Sequence, residues 1–122
     1  MIDYDGRRFS PVTATSGHAG TAGSVTVAHY HQSQDLVWAE FSGGEVRRGS
    51  IAGTSSADGV LQFAYCMVLK SGEAVTGVCH SIPEVLADGR IRLTEHWERF
   101  GSGASSGISA LEELPTGGPD QQ

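Results

Sequence analysis

The sequence predicts an all-β fold, a small antiparallel meander of about eight strands closed into a barrel. Three observations carry that expectation. Glycine is 17 of 122 residues and sits mostly in dipeptides between apolar runs: DG at 5–6, GG at 43–44, DG at 58–59, SG at 71–72 and DG at 88–89. Such dipeptides are hairpin signals, because glycine supplies the positive φ that tight turns need. The runs between them alternate apolar and polar residues, as half-buried strands do. No stretch has a capped 3.6-residue period, so helix is expected to be nearly absent. A sandwich would satisfy the same spacing, and the barrel is the reading taken forward.

Strands are expected near 7–13, 23–32, 36–42, 45–54, 60–69, 74–82, 90–99 and 107–113. The first is introduced by the Asp5-Gly6 turn. "TATSGHAGTAGS" (13–24) and "GSGASSG" (101–107) are Ser/Gly-rich loops, and 114–122 is a polar tail expected to be disordered. One domain, 1–113, is the expectation, since 122 residues suffice for a single core. With 8 basic and 14 acidic residues the formal charge is −6. A chain of this charge with no basic run is a poor partner for nucleic acid or an anionic membrane surface. "MIDYDGRRF" has no apolar h-region and no segment is long enough to span a bilayer, so a cytoplasmic location is expected. Cys66 and Cys79 are then expected to be reduced, although both are read onto the same face and a bridge is sterically conceivable.

Hairpin parity assigns the faces. If each glycine dipeptide is an even-numbered loop, paired residues i and j share a face and their sum is constant. Asp88-Gly89 then pairs His80 with Trp97 and Ile82 with Glu95, putting these inward with Leu86, Ile91 and Leu93. Arg92, Thr94, His96 and Glu98 form the wet side. Ser71-Gly72 puts Phe63, Tyr65 and Met67 beside Thr76, Val78 and His80, with Cys79 outside. Asp58-Gly59 adds Arg48, Ser50, Ala52 and Thr54 to the interior. Gly43-Gly44 adds Val37, Ala39 and Phe41, pairs Glu40 with Arg47 outside, and sets Trp38 over Gly49. An even loop at 33–35 turns Ala28 and Tyr30 inward. Leu36, Trp38 and Ile51 fall outside as an apolar group, which suggests a homodimer.

The interior so assembled is apolar with a polar minority. Arg48 and Glu95 are the natural ion pair, because a buried charge needs a partner. His80 beside Trp97 could be oriented by Glu95, as a general base is held. The candidate catalytic residues are therefore His80, Glu95 and Tyr65, and the candidate ligand contacts are Tyr30, Arg48, Phe63 and Trp97. The same groups would also make a satisfied structural network closing a barrel end, and a ligand cavity needs no catalysis from them. His29 and His31 share a face but lack a third ligand, so no metal site is expected. Cys79 and His80 are adjacent and point oppositely, which argues against a nucleophilic pair. No nucleophile elbow, P-loop or dinucleotide motif is present, so no cofactor is expected.

Four segments, "IDYDGRRFSPV", "DLVWAEFSGGEVRRG", "ADGVLQFAY" and "TGVCHSIPEVLADGRIRLTEHWERF", resemble a group of small bacterial single-domain β-barrel proteins over most of residues 2–113. Some members of that group bear the name N-acetylglutamate synthase. An acetyl-CoA transferase would need an α/β framework with a pyrophosphate-binding loop, and the sequence has neither. At fold level the group is similar to lipocalin-like and allene-oxide-cyclase-like barrels. The resemblance implies a lipocalin-like barrel enclosing a small apolar or amphipathic molecule. It would act as a cofactor-independent cyclase or isomerase in natural-product biosynthesis, or as a non-catalytic binding or interaction module.

Overall fold

The computed structural model describes residues 2–12 and 25–115. Eight strands follow one another: β1 (Arg8–Pro11), β2 (Val27–Ser33), β3 (Leu36–Gly43), β4 (Val46–Ser55), β5 (Leu61–Leu69), β6 (Ala74–Val85), β7 (Ile91–Arg99) and β8 (Ser105–Glu113). Each pairs antiparallel with the next, and β8 returns to β1, so the sheet closes on itself. Among the described residues there is no helix. The loop 13–24 and the tail from 116 onward lie outside the described residues.

The turns decide the faces. At 56–60, 69–73 and 86–90 the outer residues close the hairpin, with Ser56 N donating to Val60 O, Leu69 N to Glu73 O and Leu86 N to Arg90 O. Inside each loop the glycine N–H returns to the carbonyl three residues back, from Gly59 to Ser56, Gly72 to Leu69 and Gly89 to Leu86. These glycines have φ of 83°, 93° and 91°. This is the three-residue hairpin, a type I turn followed by one left-handed residue, and not the two-residue loop that the dipeptides suggest. The β3–β4 register also shifts between Phe41 and Gly43.

One residue of slip moves a strand's whole side-chain set to the other face. Four successive parities differ from the expectation, and the inversions cancel in pairs. The β2–β3 loop is even as expected, so β2, β3, β5 and β7 present the anticipated residues inward, whereas β4 and β6 are turned over. Tyr65 pairs with Ile51 and Gly77, Phe63 with Gly53 and Cys79, and Glu95 with Ser81. Arg48 is therefore an exposed outer residue, as are Ser50, Ala52 and Thr54. His80 is exposed beside His96, with Val78 and Ile82 also outside. Ile51 and Cys79 are buried inside, which removes Ile51 from the proposed outer apolar group. The cysteines are both free, because Cys66 faces out and Cys79 in. Glu40 meets His31 at 2.8 Å, not Arg47, and Trp38 stacks on His31. The ring over Gly49 is that of Phe41, from inside.

One end of the barrel is plugged by the chain's own start. Tyr4 is fully buried, and its hydroxyl donates to Gly59 O at 2.5 Å. Its ring lies among Phe9 and Tyr30, which pack edge to face. Arg7 Nη1 donates to both carboxylate oxygens of Glu113, at 2.8 and 3.0 Å, and Ile91 N donates to Oε1 at 3.1 Å. Glu113 is 3% exposed, so its charge is compensated by a cation and a backbone donor together.

Interior glycines set the wall thickness. A Cβ on Gly77 would meet the Glu98 carbonyl and the Tyr65 ring, whereas one on Gly72 would meet nothing. Gly77→Ala should therefore cost about 2–3 kcal/mol through overpacking. Gly72→Ala, strained only by its positive φ, should cost about 1 kcal/mol. Urea-unfolding midpoints of the two variants test this, and equal midpoints would contradict the packing of Tyr65 on Gly77.

Candidate functional site: the barrel lumen

The side chains facing inward do not fill the barrel. A cavity of about 320 Å³ remains, with Phe9 and Tyr30 toward the plugged end and Phe41, Val46, Met67 and Arg99 toward the other. The space has a local cause. Phe41 lies against Gly49, Tyr65 against Gly77 and Trp97 against Gly107, so closely that a Cβ on any of these glycines would collide with the ring. Aromatic rings seated on bare backbone stay at the wall and leave the axis open. The lining is therefore largely apolar and aromatic, the usual composition of a small-molecule site.

Glu95 is the one carboxylate on that lining. Ser81 Oγ donates to its Oε2 at 3.4 Å, and the Cys79 thiol lies 3.6 Å from Ser81 Oγ. No cation forms an ion pair with it among the described residues. Burial pushes its pKa up from 4.5 to about 7, against the opposing effect of hydrogen bonds from Ser81 and Cys79. At neutral pH this carboxyl is thus close to half protonated. Burial, then the Glu95 charge, hold the Cys79 thiol at about 12, so it is no nucleophile near neutral pH. Tyr30 is raised well above the ordinary phenol value, first by burial and then by Glu95. Tyr65 is raised by burial, against the pull of Arg99, and its hydroxyl donates to Glu98 O at 3.3 Å.

Of the residues named from sequence, Tyr30, Phe63, Tyr65, Glu95 and Trp97 line the cavity. Arg48 and His80 do not, because β4 and β6 present their opposite faces. The expected Arg48–Glu95 pair and His80–Glu95 contact are consequently absent, and what stands opposite Glu95 is Ser81. Sequence reasoning missed Cys79 and Ser81. The inward set of β6 reads Val75, Gly77, Cys79, Ser81, and the outward set Thr76, Val78, His80, Ile82, so the larger aliphatics are outside. The usable signal was in the turns: a polar residue before each of three glycines suits the left-handed third position of a three-residue loop.

With this geometry in view, the family described as Avidin-like protein matches residues 2–114, and the chain belongs to that family. Neither a curated protein nor a solved structure matches it.

The titration of Glu95 has a defined sign. Its folded pKa, about 7, is above its ordinary 4.5, so the folded chain retains a proton that the unfolded chain releases. The stability tied to the neutral carboxyl is full at low pH and is lost as pH rises through about 7, by at most about 3 kcal/mol. Glu95→Gln should therefore be more stable than the parent at about pH 8 and no more stable at about pH 4.5. An Arg-paired carboxylate would give the reverse at the higher pH, and denaturant unfolding at both values distinguishes them. Thiol labelling gives a second check: Cys66 should react fast with a maleimide and Cys79 slowly in the folded protein.

Proposed function

We propose that this member of the avidin-like family binds one small apolar or amphipathic molecule in the barrel lumen, entering at the end opposite Tyr4. The observation that carries the reading is the mostly apolar cavity of about 320 Å³ with Glu95 as its single carboxylate. Burial of an apolar ligand against Phe41, Phe63 and Trp97 supplies affinity, and the polar group at Glu95 supplies orientation. The plugged end gives the ligand a floor, so a ligand would fill the barrel from one side.

A catalytic version, a cofactor-independent cyclase or isomerase, is favoured by one observation. Glu95, with its pKa near 7, is suited to give or take a proton in an enclosed apolar space. Tyr30 and Tyr65 also line that space, both as neutral phenols. His80 has no part in either version, since it faces outward.

The neutral dye phenylnaphthylamine tests the binding reading. In a Trp38→Phe background the remaining tryptophan, Trp97, lines the cavity. Dye binding should raise dye emission and quench Trp97 at one dye per chain. Trp97→Ala should weaken binding about tenfold, the scale of a lost aromatic contact, and His80→Ala should change nothing. Tight dye binding without Trp97 quenching would place the site elsewhere. For the catalytic version, a substrate turned over by the parent and merely bound by Glu95→Gln is the expected pattern.

A further inference from the structure

Among the described residues, two carboxylates lie inside the barrel, Glu113 and Glu95, and they are treated differently. Glu113, at the plugged end, is neutralised by Arg7 and by the Ile91 N–H. Glu95, in the lumen, has a long hydrogen bond from Ser81 and a nearby thiol, and among the described residues no cation forms an ion pair with it. A buried carboxylate without a counter-charge is costly and is seldom kept without a use. The cavity that Glu95 faces is also lined by the rings of Phe41, Phe63, Tyr65 and Trp97, whose faces are electron-rich and attract cations.

We infer that the ligand carries a basic nitrogen, protonated near neutral pH, that ion-pairs with Glu95 while its apolar body lies among the aromatic walls. The ligand class is an organic primary or secondary amine. This rests on the lumen being the ligand site, and it adds the sign of the ligand's charge. An anionic head at the same depth would meet Glu95 and the ring faces, both unfavourable. The one cation on the lining, Arg99, belongs to the open end, where it can take a polar group at the ligand's other extremity. The net charge of −6 adds a weak long-range preference in the same direction.

The groups facing Glu95 make its titration the dominant one. Cys79 and Ser81 on β6, Ser109 on β8, Tyr30 on β2 and Tyr65 on β5 are all neutral near pH 7, on the shifts given above. His29, His31, His80 and His96 lie on the outward register. An amine binds the ionised carboxylate, so below pH 7 its binding expels the Glu95 proton to solvent. With the free carboxyl titrating at about 7, amine affinity should fall about thirtyfold between about pH 8 and about pH 5.5.

Calorimetry with three matched probes tests this: tryptamine, its neutral analogue tryptophol, and the anion indoleacetate. Tryptamine should bind at least about tenfold more tightly than tryptophol at about pH 8, and indoleacetate most weakly. Glu95→Gln should remove both the tryptamine advantage and its pH dependence while leaving tryptophol binding in place, which also shows that the variant's lumen is intact. If tryptophol or indoleacetate binds the parent as tightly as tryptamine at that pH, the cation inference falls and the lumen reading stands. If none of the three binds, and phenylnaphthylamine does not bind either, the lumen reading itself falls and takes this inference with it.

Discussion

The inward side chains of β3 to β7 are placed by the parity of the hairpins that join these strands. Side chains alternate along a strand, so a loop of two residues and a loop of three put the following strand's residues on opposite faces. Three loops, at 56–60, 69–73 and 86–90, adopt the three-residue form with a left-handed glycine in third position. Together with the β3–β4 register shift, which turns β4 over, they bring Ile51 on β4 and Cys79 and Ser81 on β6 to the axis and leave Arg48 and His80 facing solvent. With the parity of all four connections from β3 to β7 reversed, the lumen would contain a cation and an imidazole. The absence of both makes Glu95 an unpaired carboxyl, and its pH behaviour follows from that.

Closure gives the second constraint. With β8 paired to β1, the sheet has no free edge among its described strands, and its interior must be filled, plugged or occupied. One end is plugged, by Tyr4 and by the Arg7–Glu113 pair. The middle is kept open by rings lying on glycines: Phe41 on Gly49, Tyr65 on Gly77 and Trp97 on Gly107. A core at ordinary packing density would be more stable. The open volume and the uncompensated carboxyl both depart from the most stable choice. They are also next to each other, which is the pattern expected of a binding site.

Charge is partitioned by position across the barrel. At the plugged end, acidic and basic groups meet: Glu113 with Arg7, and Asp88 and Glu112 with Arg90. On the outer wall, His31 meets Glu40 and Arg92 meets Glu112. These pairs are half-exposed or exposed apart from Glu113, so most contribute little to stability. In the lumen, Glu95 forms no ion pair among the described residues.

The all-β class, the strand positions to within a few residues and the sites of the turns were legible in the sequence. Glycine dipeptides and alternation are local signals that need no knowledge of the rest of the chain. The sequence also placed Tyr30, Phe63, Tyr65, Glu95 and Trp97 inside. Only the tertiary structure decided the faces of β4 and β6. Parity is a relation between neighbouring strands, and one ambiguous loop reverses everything on the strand it introduces. Hydrophobicity could not correct the error on β6, because its inward residues are small: they stand opposite the large rings of β5 and β7, and large side chains there would fill the lumen. The volume between facing strands decides which residues fit inside, and that volume exists only once the barrel has closed.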